Sequence, residues 1–291
     1  MKTAFIFPGQ GSQSVGMGKA LAEPYLDQAN AILGFDLKKI VLEGPEEELK
    51  KTEIQQPAIL TVSVAAFELL KGRNTPLPSA VAGHSLGEYS ALVAAGAISF
   101  QAAVKIVNLR GKFMQEAVPF GQGAMSAVLG ADNAVIEQIC REVGGVWPAN
   151  FNSPGQVVIS GKKESVAAAG EKLKTAGAKK IVPLPVSAPF HCPLMQPAAD
   201  KLKVELDKIE IKDAQIPVVA NVTADYVTKG SEIKDLLVKQ VTAPVRWEDS
   251  VKKLAHDGVS SFVEVGPGKV LSGLIKKIDP KVEVKTYDNI K

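Results

Sequence analysis

The feature that most constrains the fold is a short apolar run that ends in a serine between two glycines. Residues 80–89 read AVAGHSLGEY and continue into the apolar segment 90–95, SALVAA. This pattern predicts a strand, a tight turn centred on Ser85 and then a helix, with the hydroxyl presented above the sheet edge. The flanking glycines give neighbouring backbone room to pass. Because G-x-S-x-G also occurs by chance in loops that only join a strand to a helix, the motif alone leaves a catalytic and a structural role open.

Strand and helix patterns alternate along most of the chain. Strands are predicted at 3–7, before Ser85, and at 216–222, 262–265 and 282–286; helices are predicted at 16–33, 45–70, 88–95, 100–117, 197–208, 232–241 and 246–258. The helix that contains residues 56–67, QPAILTVSVAAF, is apolar nearly all round and is expected to be buried. The alternation predicts an α/β fold with a large α/β-hydrolase-like domain and a mostly parallel sheet.

A different plan is predicted between residues 122 and 187. Strands at 124–129, 146–150, 156–160 and 179–185 combine with helices at 132–143 and 163–176 in the order β-α-β-β-α-β. This order in some sixty residues is the ferredoxin-like plan. We therefore predict a small ferredoxin-like subdomain at 122–187, inserted into a large α/β catalytic domain made of residues 1–121 and 188–291.

Composition excludes several classes of function. The chain has 291 residues, a net charge of +3 and 46% hydrophobic residues, which fits a globular protein and is too weakly basic for nucleic-acid binding. No apolar stretch is long enough to cross a membrane, and the first residues lack the pattern of a signal peptide. Two cysteines and three histidines show no disulfide or metal-ligand spacing, so no metal is expected. A cytoplasmic location and a monomer are the default expectations.

A serine needs a base before it acts as a nucleophile, and three histidines could serve. His84 is adjacent to Ser85 and points to the opposite face of the strand. His256 lies at a predicted helix end, where an exposed cation is the simpler interpretation. His191 lies in a proline-bounded loop at the return from the insert, where a cleft is expected. By elimination His191 is the predicted base, the alternative being a histidine with only a structural role in its loop.

An arginine on an apolar helix face is the second candidate. Arg110 lies in the predicted helix 100–117, and burying it is costly unless it meets an anion. Its planar fork matches a carboxylate, but from the residues alone a structural salt bridge is the favoured interpretation. The loop after the first strand carries Gln10 and Gln13 at the edge where α/β sheets place their sites. Its glycines fit neither the Walker pattern nor the dinucleotide fingerprint.

Four motifs in sequence carry a resemblance to a known family. They are FPGQGSQ at 7–13, GHSLGEY at 83–89, RGKFMQ at 110–115 and FHCPLM at 190–195. Together they resemble malonyl-CoA:acyl carrier protein transacylases, from residue 1 to about 275, with the small insert in place. No departure is seen at the main positions.

The resemblance implies the roles of the catalytic residues. Ser85 would be acylated by malonyl-CoA and would pass the malonyl group to the phosphopantetheine thiol of acyl carrier protein. His191 would be general base and then general acid, and the amides of Leu86 and Gln10 would hold the oxyanion. Arg110 would bind the distal malonate carboxylate.

The resemblance also implies supporting residues and partners. The main-chain carbonyl of Gln240 would orient the histidine, His84 would support the site, and Asn152 and Gln156 would line the cleft from the small domain. No cofactor is implied: malonyl-CoA is a substrate and acyl carrier protein the partner, which the mildly basic charge suits. The chain would be a free-standing enzyme of a dissociated fatty-acid pathway.

Three alternatives remain open. A serine thioesterase or esterase would release free acid from malonyl-CoA without an acceptor thiol. A non-catalytic acyl-CoA-binding module would show no mass gain on Ser85. An acyltransferase of the same family could prefer another acyl group, such as methylmalonyl.

Overall fold

The computed structural model describes residues 2–73, 75–186 and 188–290, which contain two separate β-sheets. The strands are, in chain order, β1 (Lys2–Phe7), β2 (Ala80–Gly83), β3 (Gly123–Leu129), β4 (Val146–Ser153), β5 (Gln156–Lys162), β6 (Lys180–Pro183), β7 (Val218–Val219), β8 (Tyr226–Val227), β9 (Val259–Glu264) and β10 (Glu283–Thr286). The α-helices are α1 (Glu23–Leu33), α2 (Leu37–Glu43), α3 (Glu46–Leu49), α4 (Thr52–Gly72), α5 (Gly87–Ala94), α6 (Phe100–Glu116), α7 (Asn133–Val143), α8 (Lys163–Thr175), α9 (Gln196–Leu206), α10 (Gly230–Gln240), α11 (Trp247–His256) and α12 (Val270–Ile278).

The large sheet has the strand order β10-β9-β1-β2-β7-β8, and its neighbours are parallel except for β7 and β8. Phe7 at the end of β1 lies opposite Gly83 at the end of β2. The loops that follow these two strands therefore leave the sheet side by side at its carboxyl edge. This edge is where open α/β sheets place their sites.

Apolar side chains of the large sheet are buried on both faces. In β1, Phe5 and Phe7 belong to one hydrophobic core, whereas Ala4 and Ile6 belong to a second core on the opposite face. Successive residues of a strand point to opposite sides, so a sheet covered on both sides needs a continuous apolar run. Helix α4, predicted to be buried, packs against α6 and contributes an almost continuous series of buried residues.

The small sheet is antiparallel with the order β4-β5-β3-β6. Helices α7 and α8 pack on it through a core of its own. This is the ferredoxin-like arrangement that the sequence predicts, and the α/β class with a mainly parallel sheet is likewise confirmed. The edge strand β4 is joined to the segment after α10 by hydrogen bonds between Phe151 and Val245 and between Val245 and Ala149, each of 2.9 Å. The proposed domain limits stay a prediction, and their boundary at Ser187 lies outside the described residues.

Two predicted helices are wrong in extent. The helix predicted at 16–33 begins only at Glu23, because Gly16 and Gly18 adopt positive φ angles of 85° and 68° in a series of turns. The helix predicted at 45–70 is divided into α3 and α4 by extended backbone at Lys51, and α2 was not predicted. Helical spacing of apolar residues does not show where a turn interrupts the helix.

Two strands also differ from the prediction. The strand predicted at 216–222 pairs only at Val218–Val219, and its continuation forms the turn before the unpredicted edge strand β8. Strand β9 begins at Val259, three residues before the prediction. Pairing partners decide strand ends, and these partners lie far away in the sequence.

Candidate active site

The turn between β2 and α5 holds Ser85 in a left-handed conformation, with a φ angle of 51°. A Cβ atom on Gly83 would overlap the backbone of Gly87, and a Cβ atom on Gly87 would overlap the carbonyl of Phe7. Both glycines of the motif are therefore required by close backbone approach. A serine in this strained conformation, between a strand and a helix, is the nucleophile geometry that the sequence predicts.

Asn221 fixes this turn from the loop that follows the neighbouring strand β7. Its Oδ1 accepts the main-chain N–H of Ser85 at 2.7 Å, and its Nδ2 donates to the carbonyl of Gly83 at 2.6 Å. The side chain is buried, so it satisfies two polar groups that water cannot reach. Asn221 thus holds the backbone on both sides of His84.

His191 lies against Ser85 although 106 residues separate them in the chain. The Nε2 atom of His191 is 2.7 Å from Ser85 Oγ, and its Nδ1 is 2.9 Å from the main-chain carbonyl of Gln240. A carbonyl can only accept, so this network assigns the proton to Nδ1 and leaves Nε2 as the acceptor for the serine hydroxyl. His191 adopts a φ angle of 57°, which directs its ring from an irregular loop.

Burial keeps the His191 imidazole neutral. Desolvation is the largest cause and the nearby Arg110 cation the second, and together they lower its pKa to about 3. A base must be unprotonated to accept a proton, so the ring is in the required state at neutral pH.

Arg110 on α6 is completely buried beside the serine. Its Nη1 donates to Gln56 Oε1 at 2.8 Å, and its Nη2 donates to Gln240 Oε1 at 2.9 Å and to Ser85 Oγ at 3.2 Å. In the described part of the chain these partners are uncharged, and Arg110 forms no ion pair. The structural salt bridge favoured from the residues alone is therefore wrong. A buried guanidinium with only neutral partners can bind the carboxylate of a ligand.

Glu88, in the first turn of α5, is the buried carboxylate of the site. Its Oε2 accepts from Gln240 Nε2 at 2.8 Å and from the N–H of Asn221 at 3.0 Å. Burial raises the pKa of Glu88 to about 7, against the lowering effects of these two hydrogen bonds and of the Arg110 charge. Glu88 is therefore only partly ionised near pH 7.

Gln10, in the loop after β1, lies beside the nucleophile turn. Its side chain donates to Gln55 Oε1 at 2.6 Å, and the adjacent Gly9 packs so closely on the carbonyl of His84 that a Cβ atom would overlap it. Among the described residues, the main-chain N–H groups of Gln10 and Leu86 donate to no protein acceptor. Free N–H groups next to a nucleophile can bind an oxyanion.

Gln10, Ser85 and His191 line one cavity of about 600 Å³, and the completely buried Arg110 lies behind its wall in contact with Ser85. The loops after β1 and β2 form one wall, and Met125 and Asn150 of the small sheet and Phe190 form the other. The site is thus a cleft between the carboxyl edge of the large sheet and the small sheet.

Comparison with known proteins places the chain in a family. Residues 4–288 match the acyl transferase domain family. The chain is a member of the acyl transferase family. The malonyl CoA-acyl carrier protein transacylase of Escherichia coli is 54% identical over 284 residues, covering 94% of this chain and 92% of that protein.

Solved structures of acyl transferases share the fold over nearly the full length. An acyl carrier protein S-malonyltransferase from Vibrio cholerae superimposes with a TM-score of 0.96 at 46% identity, covering 98% of this chain and 96% of the other. A malonyl-transacylase in complex with its type II polyketide acyl-carrier protein gives 0.95 at 48% identity, covering 98% and 95%. These likenesses confirm the α/β class and the family resemblance seen in the motifs.

Not every residue that the family motifs suggested lies at the cleft of this acyl transferase. His84 lines the cleft, and its Nε2 is 2.8 Å from Asn152 Oδ1, so this pair joins the turn at Ser85 to β4. Gln156 is misplaced by the prediction: its side-chain oxygen accepts from Lys277 of α12, at the end of the β4–β5 hairpin and away from the cleft. The cleft residue of β4 is Asn150 instead.

Sequence reasoning missed the polar residues that hold the acyl transferase site together. Gln55 and Gln56 are buried polar residues in the otherwise apolar α4, and that contrast was a usable signal. Asn221 follows a short strand at the carboxyl edge of the sheet, which is also a signal. Glu88 gave no such signal in the sequence, because an acidic residue in the first turn of a helix is common.

The described residues hold neither a metal-binding cluster nor a membrane-spanning helix. The described residues contain no group of three or more His, Cys, Asp or Glu side chains that could hold a metal ion. Among the same residues, no helix is both long and apolar enough to span a membrane.

Proposed function

We propose that this acyl transferase moves the malonyl group from malonyl-CoA to the phosphopantetheine thiol of acyl carrier protein, in fatty acid biosynthesis. The single observation that supports this most is the buried Arg110 guanidinium, which contacts Ser85 Oγ and forms no ion pair with the described residues. A malonyl thioester has one methylene between its reacting carbonyl and its carboxylate. Seated on Arg110, such a carboxylate would bring the carbonyl next to the serine.

The first half-reaction forms the acyl-enzyme. Ser85 Oγ attacks the thioester carbonyl of malonyl-CoA while its proton passes to His191 Nε2. The oxyanion of the tetrahedral intermediate would be bound by the N–H groups of Leu86 and Gln10. The C–S bond then breaks, and the departing CoA sulfur takes the proton from His191.

The second half-reaction repeats these steps in reverse. The phosphopantetheine thiol gives its proton to His191 Nε2 and attacks the malonyl ester of Ser85, forming a new C–S bond. Ser85 Oγ leaves and recovers the proton from the imidazolium. The Gln240 carbonyl would hold the ring in one tautomer throughout, so no acidic third residue is required.

Arg110 would select the acyl group. An acetyl group has no carboxylate and would leave the buried cation without an anionic partner in a desolvated site. An unpaired charged group of this kind costs about 1–3 kcal/mol or more, enough to reject acetyl strongly.

The proposal needs no cofactor, since nucleophile, base and oxyanion donors all come from the chain. It also includes a cytoplasmic location, for which the two buried free thiols, Cys140 and Cys192, are the supporting observation. Burial raises the pKa of the Cys192 thiol to about 11, so this neighbour of His191 is a poor rival nucleophile.

Intact-protein mass spectrometry tests the proposal. Incubation with malonyl-CoA is expected to add one malonyl group, and subsequent addition of a pantetheine thiol is expected to remove it. Ser85→Ala is the control that must show no gain. Steady release of malonate without an acceptor thiol would instead indicate a thioesterase, and no covalent gain at all would indicate a binding module.

A further inference from the structure

The Glu88 carboxyl group is buried at the site but does not line the cleft. Its side chain is 3% exposed, and its Oε2 accepts two hydrogen bonds, from Gln240 and from Asn221. In the described part of the chain it forms no ion pair. Burying a carboxylate without a contacting cation is costly, so its position calls for a function beyond packing.

The Gln240 side chain joins Glu88 to the arginine. Its Nε2 donates to Glu88 Oε2 at 2.8 Å and to the carbonyl of Ser85 at 3.0 Å, while its Oε1 accepts from Arg110 at 2.9 Å. Two acceptors on one side and a donor on the other determine which way the amide faces. If the amide turned over, its oxygen would face both acceptors and its NH₂ group would face the guanidinium.

Arg110 depends on that orientation. Its guanidinium is held between two amide oxygens, from Gln56 on α4 and from Gln240 on α10. Loss of the Gln240 contact would leave the Nη2 end, which also contacts Ser85, without its closest acceptor. The cation could then leave the place where a substrate carboxylate would bind it beside the nucleophile.

We infer that Glu88 is a positioning residue for acyl selectivity: it orients the Gln240 amide so that Arg110 is held ready for the distal carboxylate of the acyl group. The inference rests on the proposed function. Glu88 acts through acceptor geometry, so an uncharged acceptor of the same shape replaces it.

A second effect of Glu88 has to be separated from the first. The same carboxylate oxygen accepts from Asn221, which holds the Ser85 turn. Damage to that turn slows acylation by every acyl-CoA alike, whereas loss of the arginine position affects acyl groups with a carboxylate far more than those without one. The ratio of malonyl to acetyl acylation therefore isolates the selectivity effect.

The test measures acylation of Ser85 by malonyl-CoA and by acetyl-CoA in single-turnover experiments. Each gives a second-order rate constant, equivalent to kcat/KM for acylation, and the two constants give the malonyl-to-acetyl ratio. In Glu88→Leu, which keeps the bulk and loses the acceptor, the malonyl-to-acetyl ratio is expected to fall at least about tenfold. In Glu88→Gln, which keeps an acceptor oxygen, the ratio is expected to stay within about threefold of the parent. A tenfold fall in Glu88→Gln would overturn the geometric account.

Glu264→Gln is the matched control. Glu264 is also completely buried, but its carboxylate accepts from Leu271 and Ser272 at the start of α12 and contacts none of the site residues. This variant is expected to lose thermal stability with an unchanged ratio. A folded Glu88→Leu with an unchanged ratio would overturn the inference.

Gln240→Leu decides the question if Glu88→Leu does not fold. It removes the amide but keeps the main-chain carbonyl that accepts from His191, and the ratio must again fall at least about tenfold. An unchanged ratio rejects the inference. The proposed function fails separately, if the unaltered protein gains no malonyl group or hydrolyses it without an acceptor.

Discussion

Arg110 donates a hydrogen bond to the hydroxyl oxygen of Ser85, with Nη2 and Oγ 3.2 Å apart. A buried cation in contact with the nucleophile favours negative charge on the serine oxygen. It also means that a carboxylate bound by Arg110 lies within one short acyl fragment of the reacting atom. The proposed nucleophile and the proposed carboxylate-binding residue are therefore in direct contact.

Replacing Arg110 is expected to change the preference between acyl groups more than the ability of Ser85 to be acylated. Arg110→Ala should lower kcat/KM for malonyl-CoA by about 10²–10³-fold, because a buried charge pair with the substrate is lost. Acetyl acylation should fall much less, since acetyl makes no such pair. Single-turnover acylation with both thioesters measures this, and equal losses for the two would contradict the role of Arg110 as the carboxylate-binding residue.

The pH dependence of acylation should reveal an unusual histidine. Because the pKa of His191 is lowered to about 3, the ring stays unprotonated as pH falls from 7 to 5. Rapid-quench rates of Ser85 acylation by malonyl-CoA over this range should therefore show no fall that titrates near 6.5, the ordinary histidine value. A midpoint near 6.5 that persists in Glu88→Gln, which removes the other group expected to titrate in this range, would show that the base is not held in the buried, neutral state.

Glu88 should make stability depend on pH in the opposite direction to a carboxylate whose pKa is lowered by folding. Its folded-state pKa is raised to about 7 from 4.5, so between these values the folded state binds the proton and the unfolded state does not. This contribution to stability is present below pH 4.5 and is lost as pH rises through 7.

The matching measurement is denaturant unfolding of the parent and Glu88→Gln at pH 5 and pH 8. The stability of the variant relative to the parent should be more favourable at pH 8, because the variant has no carboxylate to ionise. Other titrating groups are common to both proteins and cancel. A difference that is the same at both pH values would show that Glu88 titrates normally.

Asn221→Ala should weaken both the fold and the nucleophile turn. It removes two short hydrogen bonds and leaves the Ser85 N–H and the Gly83 carbonyl buried without partners, at about 1–3 kcal/mol each. Chemical denaturation should show the loss, and acylation by malonyl-CoA and acetyl-CoA should slow together.

Asn30→Ala is a suitable control for Asn221→Ala. Asn30 also makes two side-chain hydrogen bonds, to Asp36 and to the N–H of Lys38, but it lies on α1 at a half-buried position. Its replacement should lower stability modestly and leave acylation unchanged. If Asn221→Ala retained the parent acylation rate, Asn221 would have only a structural role.

Much of the fold follows from local sequence pattern. The alternation of strands and helices, the buried α4 and the ferredoxin-like order of the small sheet are all confirmed, because apolar periodicity reports which faces an element buries. The turn at Ser85 was also readable, since Gly83 and Gly87 are needed where backbone meets backbone. The helix limits near Gly18 and Lys51 were wrong, because periodicity continues across a turn.

The sequence by itself determined which residues could do chemistry: a serine on a tight turn, a histidine in a loop and an arginine on an apolar helix. Only the tertiary structure decided how they meet. His191 contacts Ser85 from 106 positions further along the chain, and Glu88, Asn221 and Gln240 form hydrogen bonds with one another next to this pair. It also placed Gln156 outside the cleft and Asn150 inside it. The reason is physical: local propensity depends on neighbours in the chain, whereas these hydrogen bonds depend on which strand ends share a sheet edge and on the register that aligns them.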